Sequence, residues 1–199
     1  MHAFAVRYCS ERLKTELLPD PKHIEMLRRG PKAWNAWREQ NPSQVPKLEG
    51  AALSLGERQL GPINGGPINL RSVSMQRAFL RSATLSEADL EAADMSGIDL
   101  AYARLHRANL KAANLSGALL DYADFAEAVL ADTNLSGASL RHVQNLTQAQ
   151  INHSICNADT ILPEHLENPA SRLEIVRETT VDETAPSEIE SQSVFSKIV

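Results

Sequence analysis

The sequence predicts a mainly β solenoid, built of short extended pieces with a turn in every repeat and an apolar column inside. Two observations carry this. The first is a five-residue period from Ile68 to Leu140. Leucine, or Met75, Met95 and Phe125 in its place, stands at every fifth position from Leu70 to Leu140, and two residues before each stands a small or β-branched residue, from Ile68 to Ala138. The second is what that period excludes. At about 100° per residue, a step of five would turn successive leucines by about 140° and leave no helical stripe. Alanine and leucine are strong helix formers, but the period overrules the propensity. In extended chain, residues two apart share a face, so each alanine points the same way as the leucine after it. Five is odd, so a continuous strand would send the next pair to the opposite face. A turn must therefore interrupt every repeat.

The repeats read ADLEA at Ala88 to Ala92, ANLKA at Ala108 to Ala112, ANLSG at Ala113 to Gly117 and TNLSG at Thr133 to Gly137. They resemble the pentapeptide-repeat family over all of Ile68 to Leu140. The resemblance implies a right-handed quadrilateral β-helix in which four repeats make one square coil of twenty residues, about four coils in all. Coils would stack at about 4.8 Å, the spacing of paired strands.

That geometry places residue n over residue n+20, and the charges test it. Arg71 falls over Glu91 and Glu91 over Lys111; Glu87 over Arg107 and Arg107 over Glu127; Arg104 over Asp124; Asp121 over Arg141. Asp89 meets Asn109, and Asp94 meets Asn114. No two like charges within Ile68 to Leu140 stand twenty apart. Each such surface pair is worth only about 0–1 kcal/mol, so the pairs tune register while the buried column supplies stability.

Around the repeats the chain divides into 1–47, a helical N-terminal segment and cap; 48–145, the β-helix, regular from 68; 146–163, a short C-terminal helical cap; and 164–199, an acidic tail. Met1 to Leu18 reads as an amphipathic helix using Phe4, Leu13, Leu17 and Leu18, ended by Pro19 and Pro21. Lys22 to Gln40 is a second helix, broken near Gly30-Pro31, with Ile24, Leu27, Trp34 and Trp37 on one face. The run AWNAWREQNP, Ala33 to Pro42, resembles a segment that precedes the repeats in bacterial members of the family. Trp34 and Trp37 are read either as an apolar lid over the open edge of the β-helix or as a partner-binding patch.

Leu48 to Gly66 is a degenerate first coil in which Leu48 and Leu53 fit the repeat. Its Gly61-Pro62 and Gly65-Gly66-Pro67 signal turns. Ser96-Gly97, Ser116-Gly117 and Ser136-Gly137 mark one edge whose turns call for glycine at positive φ. Another edge carries Ser82, Tyr102, Tyr122 and His142, either an interface or aromatic shielding of the backbone. The register fails at Asn145, where Leu146 comes one position late. Thr147 and Gln150 then form a capping box for a short helix. The segment Leu146 to Pro163 resembles the closing segment of many bacterial family members. Residues 168–199 are polar, acidic and without period, a composition that predicts disorder, with SVFSKIV at Ser193 to Val199 as a more apolar end.

The net charge of −5 gives no reason to expect nucleic-acid binding. No apolar run suits a membrane span or a signal peptide, and Cys9 and Cys156 stand at no motif spacing. The expectation is a bacterial cytoplasmic protein, monomeric or homodimeric.

Nothing in the sequence points to an enzyme, a cofactor or a metal site. The six histidines make no paired ligand spacing, and His153 with Cys156 lacks a second pair. There is no phosphate loop and no GxSxG elbow. The Asp or Asn before each repeat leucine is explained by turn and edge hydrogen bonds. The functional expectation is a protein-binding or scaffold module with an unidentified protein partner, its candidate binding residues Trp34, Trp37, Tyr102, Tyr122 and His142. The alternative comes from family members that mimic DNA and bind DNA gyrase or topoisomerase IV. Arg71, Arg104, Arg107 and Lys111 interrupt the acidic face that a mimic needs.

Overall fold

The structure is a computed structural model that describes residues 18–53 and 67–170. The N-terminal helix expected over 1–18, most of the degenerate stretch 48–66 and the acidic tail beyond 170 lie outside the described residues.

The repeat segment pairs with itself in parallel at a fixed offset of twenty. Asn69 bridges Asp89, Ser74 bridges Asp94, Phe79 bridges Asp99 and Thr84 bridges Arg104, and each column continues in the same step. The pairing is made of single bridges, one per five-residue segment, rather than of continuous strands. The reason is local: a turn closes immediately after each bridge. Around Leu90 the whole pattern is visible. Leu90 N donates to Asn109 O, Ala92 N to Lys111 O and Asn109 N to Ala88 O, all between coils, while Ala93 N closes the turn onto Leu90 O.

Each of these turns places one residue in the left-handed region. Every fifth residue from Ser72 to His142 has a positive φ, and only Gly97, Gly117 and Gly137 among them are glycine. The expected glycine edge is therefore part of a wider rule. Serine, arginine, glutamate, alanine, tyrosine, aspartate and histidine accept the same strained geometry at Ser72, Arg77, Glu87, Ala92, Tyr102, Asp132 and His142. A left-handed non-glycine residue costs about 1–2 kcal/mol, which the burial on both sides of each turn must offset.

That burial is uniform. The repeat leucines and the alanines two before them are buried from Ile68 to Leu140, as the period requires. Removing one Leu side chain from water contributes about 1.5–3 kcal/mol. Thr133, fully buried in the alanine column, donates its hydroxyl to Leu110 O at 2.7 Å.

The outward Asp and Asn work locally and between coils. Asn109 Oδ1 accepts from Lys111 N, two residues on, while Asn109 Nδ2 reaches down to Asp89 Oδ1 at 3.1 Å. Asn114 repeats this over Asp94, and Asn134 over Asn114. Among the predicted ion pairs, Arg71 meets Glu91 at 2.5 Å, and Arg107 meets Glu87 at 3.9 Å and Glu127 at 3.4 Å. The Arg71 guanidinium holds the Glu91 carboxyl below its ordinary range. Among the described residues, Arg104 with Asp124 and Asp121 with Arg141 make no ion pair. Asp124 instead accepts from Ala126 N and Asn145, and Asp121 from Arg141 N and the Ser139 hydroxyl.

Two helices lie at the N-terminal end, α1 (Pro21–Arg28) and α2 (Pro31–Gln40). Each starts on a proline, where no backbone donor is lost, and Asp20 caps α1 by accepting from Lys22 N. The break falls at Gly30, whose φ of 91° suits only glycine. Helix α2 closes an open edge of the coil. The groups of Asn69 and Arg71 that a preceding coil would satisfy are met by side chains: Asn69 N donates to Asn35 Oδ1 at 2.9 Å, Trp34 Nε1 donates to Asn69 O at 2.6 Å, and Arg38 Nη2 donates to Arg71 O at 2.9 Å. Asn35 Nδ2 also donates to Pro67 O. On the next two sides the backbone itself pairs, Lys47 with Ser74 and Ala52 with Phe79. The offset there is twenty-seven rather than twenty.

At the other end the coil loosens stepwise. Asn134 bridges Ile155 and Ser139 bridges Ile161, offsets of twenty-one and twenty-two. The first extra residue is the one that delays Leu146. Helix α3 (Gln148–Asn152) follows, with the Thr147–Gln150 capping box in place. Gln150 serves twice: its Oε1 accepts from Thr147 N, and its Nε2 donates to Phe125 O and Ala128 O. Ile151 is buried beneath it.

Candidate functional site

The five candidate binding residues fall in two places. Trp34 is fully buried, with its indole N–H used on Asn69 O, so it offers no surface to a partner. Trp37 packs on it at 5.3 Å between ring centroids and is only partly buried. Trp37 also meets the His23 ring at 5.1 Å, beside a cavity of about 470 Å³ lined by Asp20, Glu25, Met26 and Gln44 among others.

Tyr102, Tyr122 and His142 are brought together. The offset of twenty places them in one column, and coil spacing fixes their separation. Tyr102 and Tyr122 stack at 4.8 Å with an interplanar angle of 7°, and Tyr122 and His142 at 4.9 Å. Arg81 lies over the free face of Tyr102, 4.8 Å from its centroid. Such a cation–π contact is worth about 0.5–1 kcal/mol at an exposed site. The rings cover each other's faces, so only their edges and hydroxyls remain open.

Next to this edge runs a column that sequence reasoning missed. Phe79, Leu119 and Ile161 are exposed by 53%, 50% and 40%, with Asp99 and Ser139 between them. The signal was present. The position before each repeat leucine is usually Asp or Asn, and here Phe79 and Leu119 take it. Asp99 and Asp121 are committed to the coil's own donors, Asp99 to Ala101 N and Asp121 to Arg141 N. Among the described residues Arg81 and Arg141 form no ion pair. A shallow depression of about 530 Å³ ends the strip, lined by His142, Ile161, Leu162, Pro163 and His165 among others.

Nothing in this strip is arranged as a nucleophile with a base. Among the described residues no group of three or more His, Cys, Asp or Glu could hold a metal ion, and no helix is long and apolar enough to cross a membrane. Cys156 is half buried, and that burial pushes its thiol up from its ordinary range, away from thiolate reactivity.

A parallel stack with a twenty-residue rise, an apolar interior and side-chain caps defines a class of repeat protein that presents fixed surface columns. The family described as pentapeptide repeats matches residues 68–101, 108–143 and 118–155 with eight copies, so this segment of the chain is built of pentapeptide repeats. Several solved structures are similar. A pentapeptide repeat protein, Rfr23, from the cyanobacterium Cyanothece 51142 is 28% identical, covering 48% of this chain and 64% of that one at a TM-score of 0.41. HetL, a pentapeptide repeat protein involved in heterocyst differentiation regulation from Nostoc sp. strain PCC 7120, is 38% identical over 38% of this chain and 32% of that one, TM-score 0.38. QnrB1, a plasmid-mediated fluoroquinolone resistance protein, is 14% identical over 60% of this chain and 73% of that one, TM-score 0.32. The chain spans less than two thirds of the length of the first two. No curated protein matches it.

Proposed function

We propose that the chain is a non-enzymatic protein-docking module. Its core is a right-handed quadrilateral β-helix of about four regular coils over 48–145, between a helical cap in 1–47 and a shorter one in 146–163, with 164–199 as an acidic tail. The observation that carries the docking reading is the strip of Phe79, Leu119 and Ile161 beside the Tyr102–Tyr122–His142 edge. Exposed apolar side chains gathered on one side of a repeat protein, rimmed by arginines, are the composition of an interaction surface. Trp37 belongs to the N-terminal helices, away from the Tyr102 edge's column, and is a lesser candidate; Trp34 is cap.

The test is affinity capture from an extract of the source organism with the intact chain and with Leu119→Glu, run side by side. A protein captured by the first and lost with the second supports the strip. Capture unchanged by Leu119→Glu, yet lost on changing Asn114 and Asn134 on the neighbouring side, overturns it.

The runner-up is DNA mimicry directed at gyrase or topoisomerase IV. Arg71 and Arg107 work against it, because Arg107 pairs with Glu87 and Glu127 in the coils on either side and Arg71 with Glu91 in the next coil. Inhibition of gyrase supercoiling by the purified chain at stoichiometric amounts would reverse the ranking.

A further inference from the structure

His23 is buried to 4% exposure, yet it touches no part of the strip and its ring nitrogens are both engaged. Lys47 N donates to His23 Nδ1 at 3.1 Å, so Nδ1 carries a lone pair and the ring is held neutral with its proton on Nε2. Gln44 Nε2 lies 3.2 Å from His23 Nε2, and turning that amide over presents its oxygen to the proton. Lys47 is the residue that opens the backbone pairing of the N-terminal end, bridging Ser74. Its carbonyl in turn accepts from Asp20 N at 3.0 Å. One imidazole therefore ties α1 to the first bridged residue.

We propose that His23 is a proton-operated latch on the N-terminal cap. Neutral, it holds Lys47; protonated, it releases it. A proton added at Nδ1 would confront the Lys47 N–H donor to donor at a distance where one of them must move. An acceptor is waiting: Asp20 Oδ2 stands 3.8 Å from Nδ1, within reach of a small ring rotation. The other charged groups around the cavity do not block the exchange. Glu25 is tied to Arg29 at 2.8 Å, Lys22 lies on the exposed side of α1, and Trp37 presents a tilted ring at 5.1 Å. Asp20 is also the cap of α1, the helix that carries His23, so the protonated imidazole turns toward the start of its own helix and away from Lys47. The predicted result is a cap that loosens on mild acidification while the coils below keep their pairing.

The experiment uses the intact, ¹⁵N-labelled chain. Imidazole ¹⁵N shifts report which ring nitrogen is protonated, and amide exchange reports whether Lys47 N–H is held. Between about pH 7.5 and about pH 5, the range over which histidines change charge, the protection of Lys47 N–H should fall at least about tenfold after correction for intrinsic exchange. Leu100 and Leu120 N–H should keep theirs. The variant His23→Asn retains an acceptor near the Nδ1 position but cannot titrate, so its Lys47 protection should be flat across the same range. Lys47 protection that stays constant in the natural chain while Nδ1 gains its proton overturns the latch. So does a ring that stays neutral down to about pH 5. Should His23→Asn fail to fold, the natural chain's two readouts decide the matter alone.

Discussion

The two ends of the coil solve one problem in different ways. Any end of a parallel stack leaves a row of backbone donors and acceptors and an apolar cross-section open. At the N-terminal end, where Asn69 and Arg71 lack a preceding coil, a ten-residue helix lends side chains in place of backbone: Asn35, Trp34 and Arg38. At the C-terminal end the chain goes on coiling with slack, at offsets of twenty-one and twenty-two; Gln150, Asn157 and Thr160 meet remaining backbone groups of Ala128, Gly137 and Leu135, and Ile151 plugs the interior. The first solution concentrates its free energy in a few irreplaceable side chains. The second spreads it over continued backbone pairing, with side chains added at several points. The N-terminal end should therefore be the more sensitive to substitution.

The largest effect expected is Trp34→Ala, which empties a fully buried site and leaves Asn69 O unpaired. It should cost about 3–5 kcal/mol in urea unfolding, and a loss under about 1 kcal/mol would show that the indole does not hold that end. Ile151→Ala removes the matching plug at the other end and should cost about 2–4 kcal/mol in the same measurement; a cost above that of Trp34→Ala would reverse the asymmetry. Asn35→Leu keeps bulk but strands Asn69 N and Pro67 O, for about 1–3 kcal/mol, and Asn69 amide exchange should rise ahead of the interior amides. Thr147→Ala, which strips the cap of α3, should cost only about 1 kcal/mol by thermal unfolding. The smallest change is a gain. Ala112 is exposed with a φ of 54°, and Ala112→Asn should stabilise the chain by a few tenths to about 1 kcal/mol, since asparagine tolerates that region without the added chain entropy of glycine. A loss at Ala112→Asn would mean that the turns are not strained.

Much of the coil was legible because its rule is arithmetical. The five-residue period placed the Leu and Ala column, and opposite charges at n and n+20 anticipated Arg71 on Glu91 and Arg107 between two glutamates. The same spacing stacked Tyr102, Tyr122 and His142. Thr147 and Gln150 declared a helix start through residue type alone. What escaped was whatever depends on reach in three dimensions. Asn35 and Arg38 read as ordinary polar helix positions, because no local pattern says that a side chain will substitute for a missing strand. The left-handed turns at Arg77, Tyr102 and Arg107 escaped because glycine was taken as their marker, whereas burial on both sides overrides the local preference. Phe79 and Leu119 were passed over because the apolar search followed the inward register and not departures from the outward one.

The offset of twenty separates two kinds of inheritance in this chain. A deletion of five residues would keep every leucine inside, so the core would tolerate it. It would also rotate all later residues by one side, setting Tyr122 under a different neighbour, breaking the Asn114–Asn134 ladder and parting Arg107 from Glu127. Only length changes of twenty preserve both. Folding in this molecule counts in fives and its surface counts in twenties, so single-repeat gains and losses would shift the surface pattern while leaving the buried column in register.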